Sequence, residues 1–269
     1  MNLFPKGGSK SLRRRLIATA AGVILLAVGA PTAAAQATHH AKPTIVLLHG
    51  AFADGASWSE VTSRLQRDGY TVVAPAVPLR GIASDTTYLN GVLAGIPGPK
   101  VLVGHSYGGA LISQLASAAD VQALVYVAAF IPQAGETLGG LSAQFPGSEI
   151  GPDTTNVISY PGGADVVMKQ ESFRAVFAAD LPARQAAVLG ASQRPVAASV
   201  FTEPVPRTAP ADLPKYAVVA TGDHALAPAA ERFMASRAGA HKVEVQGASH
   251  LVALSRPGTV TDVIERAAR

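Results

Sequence analysis

From position 44 onward the chain alternates between short apolar-rich runs and amphipathic segments. Six runs read as strands: TIVLL at 44–48, YTVVAPAVP at 70–78, KVLVG at 100–104, VQALVYVAAF at 121–130, KYAVVATG at 215–222 and HKVEVQG at 241–247. Between them, apolar residues recur at helical spacing, as Trp58, Val61 and Leu65 do within 57–67. The same pattern predicts helices over 86–93, 109–118, 229–237 and 260–267. Short apolar strands that alternate with helices belong in a parallel sheet covered on both faces. The rhythm stops between 131 and 213, where Gly, Pro and Ala dominate and helical signals are patchy, as at 165–178. That stretch is too long for a loop. It predicts an inserted, largely helical cap over the C-terminal edge of the sheet. The α/β core is then 44–130 plus 214–269, and 36–43 is a linker.

Charge changes the picture at the N-terminus. The 269 residues carry a formal net charge of +4. Lys6, Lys10, Arg13, Arg14 and Arg15 lie within the first 35 residues, which hold no acid. Without them, 17 basic residues face 18 acidic ones, so the body is near neutral and has no nucleic-acid footprint. Residues 10–15 are a charged start, 16–28 a mostly apolar run, and APTAAAQA offers cleavage after Ala35 or Ala37. These are the parts of a secretory signal peptide at 1–35, and an uncleaved anchor is the alternative. RRRLI also fits a twin-arginine signal. The expectation is an exported protein, periplasmic or secreted, with no membrane attachment after cleavage. There is no cysteine, so the chain has neither a disulfide nor a thiolate nucleophile.

The candidate chemistry begins at Gly104-His105-Ser106-Tyr107-Gly108, a G-x-S-x-G between a predicted strand and a predicted helix. In that context the turn presents the serine hydroxyl at its tip, against the N–H groups of a helix start. A serine hydroxyl needs a base, and the base needs an orienting acid. When such a turn sits in an α/β sheet, the chain order is Ser, acid, His. His250 follows a strand and precedes the last helix, at the sheet edge where sites form. His241 opens its strand at the opposite edge and reads as a surface residue. Asp223, just past the strand ending near 220, is the acid. The alternative position after the fourth strand holds Ala128, Ala129 and Phe130, with no carboxylate. The N–H groups of Tyr107 and Ala51 are the expected oxyanion donors. His49 reads as a brace for the loop that carries Ala51, and His224 as an exposed neighbour of Asp223.

Four segments occur in order: HGAFADGASW, GHSYGG, ATGDHALAP and GASHLVAL. On these the chain resembles the α/β-hydrolase superfamily over about 44–267, in the branch with plant methylesterases, hydroxynitrile lyases and bacterial carboxylesterases. The resemblance implies the same triad, Ser106, Asp223 and His250, and the same oxyanion donors, Ala51 and Tyr107. It also implies a serine carboxylesterase with no cofactor and no metal, acting on a small-molecule ester. Hydroxynitrile lyases carry a threonine beside the oxyanion hole and a lysine after the histidine; here those positions are Gly50 and Leu251. Haloperoxidase or perhydrolase activity would use the same triad. A non-catalytic ligand-binding protein on this fold is a further alternative, which turnover would separate.

Phe52, Phe130 and Leu251 are the expected substrate-facing residues. Phe145, Phe173, Phe177 and Phe201 are expected mainly to fill the cap. Charged residues are sparse there, which favours an uncharged ester or lactone. Oligomeric state is not legible.

Overall fold

The computed structural model describes residues 42–269. The expected signal peptide and most of the linker lie outside them. Ala41–Arg269 forms one compact unit. In its first half the elements are β1 (Thr44–Leu48), α1 (Ser59–Arg67), β2 (Val72–Val73), α2 (Ile82–Ala94), β3 (Lys100–His105), α3 (Tyr107–Leu115) and β4 (Val121–Val127). Next come α4 (Leu138–Ala143), β5 (Thr155–Tyr160), β6 (Gly163–Met168), α5 (Gln170–Phe177), α6 (Ala183–Ser192) and β7 (Val196–Ala197). The chain closes with β8 (Lys215–Ala220), α7 (Pro228–Arg237), β9 (His241–Val245), α8 (Val252–Ser255) and α9 (Pro257–Ala267).

Six strands form one sheet in the order β2-β1-β3-β4-β8-β9, and every pairing in it is parallel. Alternate residues of each strand feed opposite faces. Ile45, Leu47, Val101, Val103, Val125 and Val127 join Trp58, Leu65 and Ile264 on one side. Val46, Leu48, Leu102, Leu124 and Tyr126 join Leu89, Leu111 and much of 131–213 on the other. The chain runs outward from β1 to β2 and then crosses back to β3. The β1 and β3 ends therefore flank the point where the winding direction reverses, the crevice in which open α/β sheets bind ligands.

Two elements differ from the sequence expectation. The second strand shrinks to Val72–Val73, because Pro75 and Pro78 withdraw the N–H groups a longer strand would need. In 131–213 helices are joined by a three-stranded antiparallel sheet, β5-β6-β7. Pro161-Gly162 turns the β5–β6 hairpin, with Gly162 at φ 92°. The segment 165–178, expected to be helical, is therefore strand up to Met168 and helix only from Gln170.

Candidate active site

Ser106 sits between β3 and α3 at φ 52° and ψ −119°, a left-handed conformation that side-chain-bearing residues rarely adopt. Its neighbours hold it there. Ser106 N–H donates to Val127 O, and Phe130 N–H donates to Ser106 O. A Cβ on Gly104 would overlap the Gly108 carbonyl, and one on Gly50 would lie 2.7 Å from Ser106 Cβ. The turn is closed tightly enough that both positions require glycine. It follows that a threonine at position 50 does not fit this backbone.

His250 lies in the loop between β9 and α8 and is buried. Its Nδ1 faces Asp223 Oδ2 at 2.5 Å. Asp223 Oδ1 accepts N–H bonds from Ala225 (2.7 Å) and Leu226 (2.9 Å), which fix the carboxylate. With Nδ1–H given to Asp223, Nε2 carries the lone pair. That atom is buried without a hydrogen-bond partner, and His250 and Ser106 line the same cavity. This is the tautomer a general base requires.

Ala51 and Tyr107 also line the cavity. Tyr107 is the first residue of α3, so its N–H has no intrahelical carbonyl to bond. Ala51 N–H makes no hydrogen bond among the described residues. The Tyr107 hydroxyl donates to buried Asp85 at 2.9 Å, tying the elbow to α2. Burial raises the Asp85 carboxyl above its usual range; hydrogen bonds from Arg80 N–H and Tyr107 act against it.

The other histidines have separate places. His105 Nε2–H donates to the His250 carbonyl at 3.0 Å, and complete burial holds its ring far below the usual imidazole pKa, hence neutral. His49 accepts Val77 N–H on Nε2 and donates from Nδ1 to Gly50 O, so it braces the loop beside the site. Burial lowers its pKa as well. His224 is exposed and pairs with Glu149 at 2.7 Å; His241 is exposed on β9.

The cavity has a volume of about 510 Å³. Phe52 and Phe130 line it. Leu251 does not. Its side chain borders a separate narrow recess beside Phe52 and Phe173, because its N–H is drawn to Phe177 O. Phe145, Phe177 and Phe201 face the cavity, whereas Phe173 lies in the core beneath. Among the described residues, no Asp, Glu, Lys or Arg lines the cavity.

Two acids at the site were missed from sequence. Asp180, between α5 and α6, accepts the Ser249 hydroxyl next to His250. Glu231 on α7 is buried against Asp223. Its place at helical spacing from Ala227, Met234 and Ala235, all buried, was the available signal.

Comparison with known proteins agrees with this architecture. A family model described as "Alpha/beta hydrolase family" matches residues 45–263. A carbendazim hydrolyzing esterase from Nocardioides sp. (strain SG-4G) is 34% identical, over 38% of this chain and 52% of that protein. The chain thus spans about half the length of that curated relative. Among solved structures, polyneuridine aldehyde esterase superposes with a TM-score of 0.73 at 18% identity, covering 85% of this chain and 100% of that one. A pyrethroid hydrolase from Sphingobium faniae JZ-2 gives 0.68 at 25% identity, covering 84% and 97%.

Proposed function

Because the chain belongs to the alpha/beta hydrolase family, we propose that it is a serine esterase whose nucleophile is Ser106, with His250 as base and Asp223 as orienting acid. The observation that carries this is the line Asp223–His250 ending in a free Nε2, on the same cavity as a serine held at positive φ. His250 Nε2 takes the Ser106 hydroxyl proton as Oγ attacks the ester carbonyl. The tetrahedral oxyanion lies against the Ala51 and Tyr107 N–H groups. Collapse breaks the ester C–O bond, and the departing alkoxide takes the proton from His250. Water, deprotonated by His250, then attacks the acyl-Ser106 ester and frees the acid.

The cavity favours an uncharged ester with a bulky apolar portion. It falls in the size range of small-molecule sites and contains no countercharge for an ionised substrate. Leu251 offers no cation for a cyanide leaving group, and position 50 admits no threonine, so cyanohydrin cleavage is the weaker reading.

The test is hydrolysis of p-nitrophenyl esters of increasing acyl length, by the wild type and by Ser106→Ala. A pyrethroid and carbendazim complete the panel, since similar proteins are named for hydrolysing them. Turnover of neutral esters that disappears in the variant is expected. Equal rates in both proteins, or none in either, contradict the proposal. We also propose that residues 1–35 direct export, on the strength of their charged, apolar and small-residue order. Exported protein beginning at Gln36 or Thr38 would agree; an intact N-terminus retained in the cytoplasm would not.

A further inference from the structure

The chemistry above gives no role to Glu231, yet this acid is buried directly behind the triad. It projects from α7, and its Oε2 accepts the N–H of Ala220, the last residue of β8, at 3.1 Å. Its Oε1 is buried and receives no donor among the described residues. The neighbouring charge that acts on this carboxyl is the Asp223 carboxylate. Asp223 is already engaged by donors, with Ala225 and Leu226 on Oδ1 and His250 on Oδ2. Two carboxyl groups in a dry contact hold one proton between them, since two adjacent anions repel. An Asp223 that accepts three N–H groups is the ionised partner. A shared proton then belongs on Glu231, whose Oε1 has no donor among the described residues.

The surroundings agree. Burial, the largest influence, pushes the Glu231 carboxyl well above the carboxylate range, and the charge of Asp223 acts in the same direction. Arg232 is the cation near it, on its own helix, but the Arg232 guanidinium is engaged by Glu244 at the surface at 2.9 Å. Past Asp223, the next titratable group is His250.

We propose that Glu231 is a positioning residue: its protonated carboxyl donates a hydrogen bond to Asp223 and holds that carboxylate toward His250 without adding a second negative charge. This rests on the serine-esterase reading, in which Asp223 orients the base. It makes α7 part of the site's support.

Two variants and one spectrum test it. Glu231→Gln keeps a donor for Asp223 and an acceptor for Ala220; Glu231→Met keeps bulk and loses both. The infrared difference between wild type and E231Q at neutral pH should contain the C=O stretch of a protonated carboxyl. E231M should lose about tenfold in kcat with little change in KM, and E231Q should restore most of that loss. The acid limb of the kcat/KM profile should stay in place in E231Q, because a neutral group has replaced a neutral group. Absence of the infrared band would overturn the proposal. A limb displaced to lower pH in E231Q would also overturn it, since that marks the loss of a buried negative charge. If E231M does not fold, the band and the E231Q limb still decide. A wild type with the band but no esterase turnover would count against the esterase reading and leave the proton assignment standing.

Discussion

At the scale of single residues, the site consists of groups held in states they would not adopt alone. Ser106 is kept at positive φ by bonds to Val127 and Phe130. The neutral His105 anchors the His250 carbonyl, and Tyr107 is tethered through Asp85. Glu231 carries a consequence for stability. Its ordinary pKa is 4.5, and in the folded protein it is raised well above that. A group raised on folding contributes stability that is complete below its unfolded value and is lost as pH rises through the folded one. Above about pH 5 the unfolded chain ionises Glu231 and the native state does not, so wild type loses ground to E231Q. The difference in melting temperature, E231Q minus wild type, should be smallest near pH 4 and widen as pH rises above it. A difference that is constant with pH would contradict the neutral buried acid. Asp85, also raised by burial, is common to both proteins and cancels.

Ser106, Asp223 and His250 were legible as candidates because the order Ser, acid, His along alternating strands and helices leaves few others. Glu231 and Asp180 were not. Asp180 matters through Ser249, 69 positions away, and the helical spacing of Glu231 marks it as buried without saying that it faces Asp223. Leu251 was placed by adjacency to His250, but the hydrogen bond to Phe177 turns it away from the cavity.

At the scale of elements, the parallel core could be read as apolar runs, since strands buried on both faces need little alternation. The hairpin β5–β6 was hidden because its strand-like residues sit among Gly and Pro. Exposed Val157, Ile158 and Tyr160 supply no buried face to give a period. This insertion also attaches to the histidine loop from both sides. The Ser249 hydroxyl donates to Asp180, and Leu251 N–H donates to Phe177 O at 3.2 Å. His250 is thereby suspended between two contacts with the insertion, with the Phe177 ring 4.6 Å from its own. Asp180→Ala should lower kcat more than it alters KM and cost about 1 kcal/mol of stability. Ser249→Ala should do the same, and the double variant should add little to either. Fully additive losses in kcat would show that the two residues act separately.

At the scale of the whole molecule, the apolar core on one sheet face continues from Leu48, Leu102 and Leu111 into Leu138, Phe173 and Val200 of the insertion. The insertion therefore packs as part of the same unit, and the cavity lies where both contribute walls. Core residues Ser106, His250, Ala51 and Tyr107 supply its reactive end, and Phe145, Ile150 and Phe201 supply apolar walls from the insertion. Strand ends of the sheet thus supply the Ser106–His250 end of the cavity, and the inserted segment supplies much of its apolar wall.

In the proposed mechanism, His250 makes the Ser106 hydroxyl a nucleophile toward an electrophile seated in that cavity. An aryl sulfonyl fluoride reports this directly, because a serine hydroxyl displaces its fluoride and keeps the sulfonyl group only when it is activated. Intact-mass and peptide-mass measurements on wild type, Ser106→Ala and His250→Ala should show one adduct per wild-type chain, on Ser106. There should be none on Ser106→Ala, and labelling of His250→Ala should be slowed by orders of magnitude. An adduct on another residue, or equal labelling of wild type and His250→Ala, would contradict the account.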